Sequence, residues 1–158
     1  MDLALYPTIS EPIKLADISP AFKSLEDQQL DGLPDEERDA KRVWVVVRQA
    51  TEEDQIRRTD LQSKREVRYT GADESGLAVS EVIDDNWRER IQHEAYWTLQ
   101  DVGNLERNGK PVFPKMPANI MKWEEFTSIW GKLHPLVAQT IHRAVRQFNP
   151  DWDWQQAK

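Results

Sequence analysis

The spacing of hydrophobic and polar positions is strand-like in the first half of the chain and helix-like in the second half. Residues 43–47 have the sequence Val-Trp-Val-Val-Val, a β-branched and aromatic run that is typical of a strand. Because no polar residue interrupts this run, we expect the strand to be covered on both faces. Residues 66–70 alternate polar and apolar side chains, so 43–48 and 66–70 together predict a small sheet.

Helical spacing predicts two elements in the middle of the chain. Thr51 is followed by three acidic residues, which predicts an N-cap and a mostly solvated helix to about residue 64. Apolar residues then recur every four positions over 80–102, which predicts one long helix with Ser80 as N-cap and Gly103 at its end. Residues 95–99 also suit a strand, and that alternative stays open.

The carboxyl-terminal part predicts a helical hairpin. Apolar residues line one face of 123–133 and of 135–148, and the sequence Asn149-Pro150 ends the second helix. His142, Arg143 and Arg146 are expected outside the apolar face, near the end where cations are favoured. The preceding loop, 103–118, is expected to pack Val112 and Phe113 inward.

Residues 1–42 predict an extended arm followed by an acidic linker. Prolines at positions 7 and 12 favour extended backbone over 1–19, with a short edge strand at Ile13 and Leu15. This arm is either a loosely ordered terminus or a segment that lies on a neighbouring subunit. Residues 20–42 are rich in Asp and Glu, with Phe22 and Leu25 in a single helical turn, and much of this linker is expected to be mobile.

These patterns predict an α+β fold with one compact domain at residues 43–158 and the arm and linker at 1–42. The domain consists of a small β-sheet packed by the long helix and the carboxyl-terminal helical hairpin. The 158 residues contain seven tryptophans and no cysteine, which excludes disulfides and thiolate metal sites. Tryptophans anchor both small cores and protein–protein interfaces.

Charge and hydropathy narrow the class of partner. The net charge of −7 argues against nucleic acid as a partner, because phosphate contacts need clustered Lys and Arg. Basic residues such as Arg57 and Arg58 have acidic neighbours and predict an ion-paired surface. No apolar run reaches the roughly 20 residues that span a bilayer. The start Met1-Asp2-Leu3 does not have the pattern of a signal peptide, so we expect no membrane partner.

Motifs for chemistry are weak in this sequence. His93 has Glu89 and Asp85 at helical spacing, which could supply part of a metal site, but no second helix offers a matching set and a solvated polar face is expected. No phosphate-binding glycine loop or nucleophile elbow occurs. His134 precedes Pro135 and is expected to be a loop or cap residue. We therefore predict no catalytic, cofactor-binding or metal-binding residues and no enzymatic activity.

The aromatic residues at the end of the chain are the candidate contact residues. Trp152 and Trp154 follow the last helix in a polar, acidic tail, and Phe148 lies just before them. Either the tryptophans fold back onto the helical hairpin, or they form an exposed anchor for a partner. We assign Phe148, Trp152 and Trp154 as the partner-binding residues.

The order of segments resembles a known class of proteins. The segments are residues 43–51 (VWVVVRQAT), 96–99 (YWTL), 109–113 (GKPVF) and 148–152 (FNPDW). Together they resemble the small tail and head–tail proteins of long-tailed bacteriophages, especially the tail assembly chaperones, over residues 42–154. The resemblance implies a non-enzymatic assembly role, with a tail protein such as the tape measure or tube as partner. It also implies a location in the host cytoplasm or the virion, and a homo-oligomer stays open.

A second function class stays open beside the phage assembly protein. An acidic inhibitor or adaptor could block a host nucleic-acid-binding protein by presenting carboxylates where phosphates bind. Such a protein clusters its acidic residues on one exposed face. Here they concentrate in the linker and in first turns of helices, which favours the assembly protein.

Overall fold

The computed structural model describes residues 7–63, 66–72, 78–83 and 87–152, with side chains described outside 62–86. Its strands are β1 (Ile13–Lys14), β2 (Trp44–Val47), β3 (Glu66–Ala72), β4 (Ala78–Ile83), β5 (Leu99–Gly103), β6 (Glu106–Arg107) and β7 (Lys110–Pro111). Its α-helices are α1 (Leu15–Ile18), α2 (Pro20–Gln29), α3 (Asp35–Ala40), α4 (Glu52–Ser63), α5 (Trp87–Thr98), α6 (Trp123–Gly131) and α7 (Pro135–Phe148). Two 3₁₀ turns lie at Ala118–Ile120 and Pro150–Trp152. The predicted α+β class is confirmed.

The central sheet has the antiparallel order β1-β2-β5, with the predicted strand β2 in the middle. Val45 and Val47 are fully buried and contribute to the core, against which α7 packs. Trp44 and Val46 point to the other face and are only partly buried. The expectation that both faces are covered is therefore wrong for the outer face, because the pleat turns alternate side chains away from the helices.

The amino-terminal arm lies along β2 of its own chain. The Ser10 N–H donates to the Val47 carbonyl at 2.8 Å, and the Gln49 N–H donates to the Thr8 carbonyl at 2.7 Å. Further along, Ile13 is opposite Val45 in β1, so the predicted edge strand is confirmed at Ile13. Leu15 differs from the prediction: it begins α1 and is fully buried.

The expected acidic linker is largely helical, so the prediction of a mobile segment at 20–42 is wrong. The Ser19 hydroxyl accepts the Phe22 N–H at 3.2 Å and caps α2, which begins at Pro20. Phe22 is buried in the core. The Glu26 carboxylate accepts the Val43 N–H at 2.7 Å and pairs with Arg42 at 3.1 Å. The sequence prediction placed this acid in a mobile linker, whereas it is bonded to Arg42 and Val43 next to β2.

Helix α4 begins with the predicted cap at Thr51. The Thr51 hydroxyl accepts the Asp54 N–H at 3.3 Å, and the Asp54 carboxylate accepts the Thr51 N–H at 2.9 Å. The same carboxylate pairs with Arg48 at 2.7 Å. Burial acts to raise the pKa of Asp54, but the hydrogen bonds from Arg48 and Thr51 outweigh it and hold that pKa below its usual range.

The second predicted strand and the predicted long helix need correction. Residues 66–72 pair with β4 as a separate hairpin and not with β2, and Ser80 lies in β4 instead of capping a helix. Among the described residues of the predicted range 80–102, the helix covers Trp87–Thr98. Leu99 then opens β5, so residues 95–98 are helical and the strand begins one residue later.

Gly103 ends β5 and has no helix-capping role. It lies opposite Trp44, and a Cβ at this position would overlap the indole ring of Trp44. The apolar residues that predicted helix through 99–102 belong to the strand instead: Leu99 and Val102, three residues apart, lie opposite Val47 and Val45 because the β2–β5 register shifts between Val46 and Val47. Glycine is therefore required here for close packing of the indole on the strand.

The two carboxyl-terminal helices form as predicted, and both contact α5. Their inward faces supply Phe126, Trp130, Val137, Ile141 and Val145 to the core. The expected inward packing of the preceding loop is also confirmed, since Phe113 is buried and Val112 packs against the core. The His134 ring accepts the Leu136 N–H at 3.1 Å and caps α7, as predicted. Within the described parts of the chain, no helix is long and apolar enough to cross a membrane.

Candidate functional sites: a buried charge cluster and two grooves

The most unusual polar feature is the carboxylate of Glu94, which α5 places in the interior with no exposed surface. One oxygen accepts from Arg58 Nε of α4 at 2.8 Å. The other lies 2.6 Å from His142 Nε2 and 3.4 Å from Arg146 Nε, both on α7. We call these four residues the Glu94 cluster. It joins three helices through a single buried anion.

Electrostatics keep this anion ionised. Burial acts to raise the pKa of Glu94, but the hydrogen bonds from His142 and Arg58 and the charge of Arg146 lower it below its usual range. A buried carboxylate is tolerated only when it is paired and hydrogen-bonded in this way. Both oxygens are bonded to groups that belong to other helices, so the cluster holds α4, α5 and α7 together.

The sequence prediction missed this cluster. His142 was expected outside the apolar face of α7, but it is buried, because the side of α7 that carries it packs against Glu94 of α5. Glu94 precedes the buried Trp97 and Thr98 by three and four residues in α5, and that helical spacing was a local signal of burial. Arg58 was expected on an ion-paired surface; its ion pair exists, but with a buried partner.

Trp152, the last described residue, folds back onto this cluster. Trp152 is fully buried, and its indole N–H donates to Gln55 Oε1 at 2.8 Å. The Arg58 guanidinium donates to the Trp152 carbonyl at 2.9 Å and lies 5.6 Å from the centroid of its ring. Of the two alternatives for Trp152, the fold-back is confirmed and the exposed anchor is wrong. Burial is favoured because the indole finds both an apolar surface and a hydrogen-bond acceptor there.

The structure describes one of the other two predicted contact residues. Phe148 is half-buried at the end of α7 and packs against the core, while Trp154 lies outside the described residues. Asn149 fixes the start of the tail, since its side chain accepts the Ala50 N–H at 2.7 Å. The partner-binding role assigned to Phe148, Trp152 and Trp154 stays a prediction. For Trp152 it requires the indole to leave its buried position.

His93 has a stacked environment and not the expected solvated face. Its ring stacks on Trp123 at a centroid distance of 3.9 Å and on Trp97 at 5.3 Å. Its Nε2 lies 3.6 Å from Glu89, as the helical spacing predicted, while Asp85 falls outside the described residues. Among the residues that the structure describes, no group of three or more potential ligands could hold a metal ion.

A first open cavity of about 590 Å³ lies between α2, the β5–β7 segment and α6–α7, and we call it the α2–α7 groove. Its floor is apolar, formed by Phe22, Leu25, Val43, Leu105, Val112, Ile129, Leu133 and Val137. Its rim carries charges of both signs, from Glu106, Arg107 and Lys132. An apolar floor within a polar rim is the composition of protein contact surfaces.

A second cavity of about 650 Å³ lies between α5 and α7, and we call it the α5–α7 groove. Its apolar lining is formed by Trp87, Ile91, Trp130, Pro135 and Ala138. Trp87, at the start of α5, leaves 48% of its surface exposed. Arg88 and Arg143 line the same groove and are exposed, so this groove has a cationic rim in an acidic protein.

Comparison with known proteins finds no similar protein. No protein-family model matches the chain, and no curated protein or solved structure is significantly similar to it. A functional proposal for this chain therefore rests on the two grooves and the Glu94 cluster.

Proposed function

We propose that this chain is a non-enzymatic assembly protein of a long-tailed bacteriophage and that it binds another tail or head–tail protein through the α2–α7 groove. The observation that carries the proposal is the groove itself. Eight apolar side chains from four parts of the fold converge on its floor, and charges of both signs surround them. No acid, base or metal set is needed to explain this surface.

The shape and lining of the groove favour a helical partner segment. An amphipathic helix binds such a groove by inserting apolar side chains spaced three and four residues apart. Leu25 on α2 and Ile129 on α6 supply apolar side chains from different helices, and Leu133 lies between α6 and α7. Contacts at the centre of such a surface carry most of the binding free energy, and the charged rim selects the partner. A tape measure or tube protein that presents such a helix is the partner we infer.

Size-exclusion chromatography with light scattering tests this proposal. The purified chain is run alone and then mixed with purified tape measure and tube proteins of the same phage. We expect a complex with one of them, and we expect Leu133→Ala to weaken it at least about fivefold, because truncating a central contact costs more than about 1 kcal/mol. Ile56→Ala is the matched control, since Ile56 is 56% exposed on α4 and does not line the groove.

Two outcomes would contradict the proposal. One is a complex that Leu133→Ala leaves unchanged, because the contact would then lie elsewhere. The other is a chain that ignores every tail protein and binds a host nucleic-acid-binding protein instead, which would support the acidic inhibitor.

A further inference from the structure

The α5–α7 groove differs from the rest of the described surface in its charges. Arg88 and Arg143 line it and are exposed, and no Asp or Glu is among its described lining residues. Within the described parts of the chain, neither of these arginines forms an ion pair with a carboxylate. Several arginines elsewhere do form one, namely Arg42, Arg48, Arg57, Arg58 and Arg146. The groove therefore holds two uncompensated cations in a chain whose net charge is −7.

The groove also has an apolar lining that is open to solvent. Trp87, Ile91 and Trp130 contribute to this lining, and Trp87 leaves 48% of its surface exposed. The guanidinium of Arg88 lies 5.2 Å from the centroid of the Trp87 ring, so a positive charge lies directly beside an apolar wall. Sites for small molecules enclose most of the ligand surface, whereas a cleft of about 650 Å³ with exposed walls suits side chains that enter from a peptide.

Both helices begin at this groove. Trp87 and Arg88 are the first two residues of α5, and Pro135 is the first residue of α7. The start of a helix carries a partial positive charge, which adds to the charge of the two guanidinium groups. Glu89, the acidic residue in the first turn of α5, does not line the groove and lies 3.6 Å from His93 Nε2. The electrostatic surroundings of the groove therefore favour an anionic occupant.

We propose that the α5–α7 groove binds an acidic segment of a partner protein, in which an aromatic or aliphatic side chain is flanked by Asp or Glu. The apolar side chain packs against Trp87, Trp130 and Ala138, and the flanking carboxylates pair with Arg88 and Arg143. The negative net charge of the chain does not prevent this contact, because charges more than about 8 Å away are largely screened at physiological ionic strength. The proposal concerns a surface separate from the α2–α7 groove and does not depend on the phage assignment.

Two short peptides test the proposal by NMR on the full chain. The acidic peptide is acetyl-Glu-Asp-Leu-Phe-Asp-Asp-amide, and its uncharged counterpart is acetyl-Gln-Asn-Leu-Phe-Asn-Asn-amide. We expect the acidic peptide to move the indole N–H signals of Trp87 and Trp130, which line the groove, and not that of Trp44 on the outer face of the sheet. The uncharged peptide should bind about tenfold more weakly, because each of two lost charge pairs accounts for about a threefold change. Trp87→Phe assigns the Trp87 signal.

Charge variants identify the residues that bind the peptide. Arg88→Gln combined with Arg143→Gln should weaken the acidic peptide about tenfold and leave the uncharged peptide unaffected. The matched control, Lys23→Gln combined with Arg57→Gln, removes the same charge from exposed positions on α2 and α4 and should change neither. Leu133→Ala alters the α2–α7 groove and should also change neither, so failure here is distinct from failure of the proposed function.

Three outcomes would overturn the proposal. The first is that millimolar acidic peptide leaves the Trp87 and Trp130 signals in place, because the groove is then not its site. The second is equal binding of the acidic and uncharged peptides, which would mean that the two arginines do not select the occupant. The third is a hexanucleotide that moves the same signals at lower concentration than the acidic peptide, which would assign the groove to phosphates.

Discussion

Replacing Glu94 by glutamine removes the one anion of the Glu94 cluster while keeping its shape. Arg58, His142 and Arg146 then surround a neutral amide, and their side chains remain mostly buried. Removing one partner of a buried ion pair costs about 3–5 kcal/mol, because the remaining charge is left uncompensated. The three side chains keep 13%, 10% and 18% of their surface exposed, so water screens part of this charge. We therefore expect a loss near the lower end, about 3 kcal/mol.

Urea unfolding followed by circular dichroism at pH 7 measures this loss. The matched control is Glu89→Gln, the same change on an exposed position of the same helix, which should alter the free energy of unfolding by less than about 0.5 kcal/mol. In a thermal scan, a loss of this size corresponds to a fall in Tm of roughly 6–12 °C for a chain of this length. A loss below about 1 kcal/mol in Glu94→Gln would refute the reasoning, since the network would then contribute no more than a surface pair.

Three further predictions concern Trp152, Gly103 and the pH dependence of stability. Trp152→Ala should lower the free energy of unfolding by about 3–5 kcal/mol, measured by urea unfolding, because the fully buried indole leaves a cavity; a loss below about 1 kcal/mol would mean that the tail is not held as described. Gly103→Ala should lower Tm in a thermal scan, because its Cβ overlaps the Trp44 indole, and an unchanged Tm would contradict that packing. The folded-state pKa of Glu94 is lowered from the ordinary value of 4.5, so its contribution to stability is present above pH 4.5 and is lost as pH falls through the lowered pKa. Urea midpoints across this range should fall less steeply in Glu94→Gln than in the wild-type chain, and equal slopes would contradict the assignment.

Local sequence patterns were sufficient to predict the elements whose apolar residues lie on one face. Helix α7 was predicted because its buried residues, including Val137, Ile141 and Val145, recur at helical spacing. Strand β2 was predicted from its β-branched run. Helix α2 was not predicted in full, because Glu26 is buried through contacts with Arg42 and Val43, and such contacts leave no trace in the local pattern.

The candidate sites were harder to predict than the fold for the same physical reason. The Glu94 cluster joins residues 58, 94, 142 and 146, and charge alone cannot distinguish its members from solvated residues. The boundary between α5 and β5 was ambiguous because Leu99 and Val102 are three residues apart, a helical spacing that also occurs in β5, where a shift in register places them opposite Val47 and Val45. Both grooves bring together side chains from distant segments, so their existence depends on packing that periodicity does not describe.

The position of β2 also has a consequence for synthesis on the ribosome. Its first neighbour, the arm at 8–14, emerges before β2 and is ready to pair with it. Its second neighbour, β5, is translated about 50 residues later, a delay of roughly 3–10 s at 5–20 residues per second. During that interval one edge of β2 is unpaired, and the side chains of Val45 and Val47 are not yet buried. Unpaired apolar strands are prone to associate with other chains. Because the arm at 8–14 is made first, it can pair with β2 on the nascent chain and leave one edge of β2 unpaired instead of two.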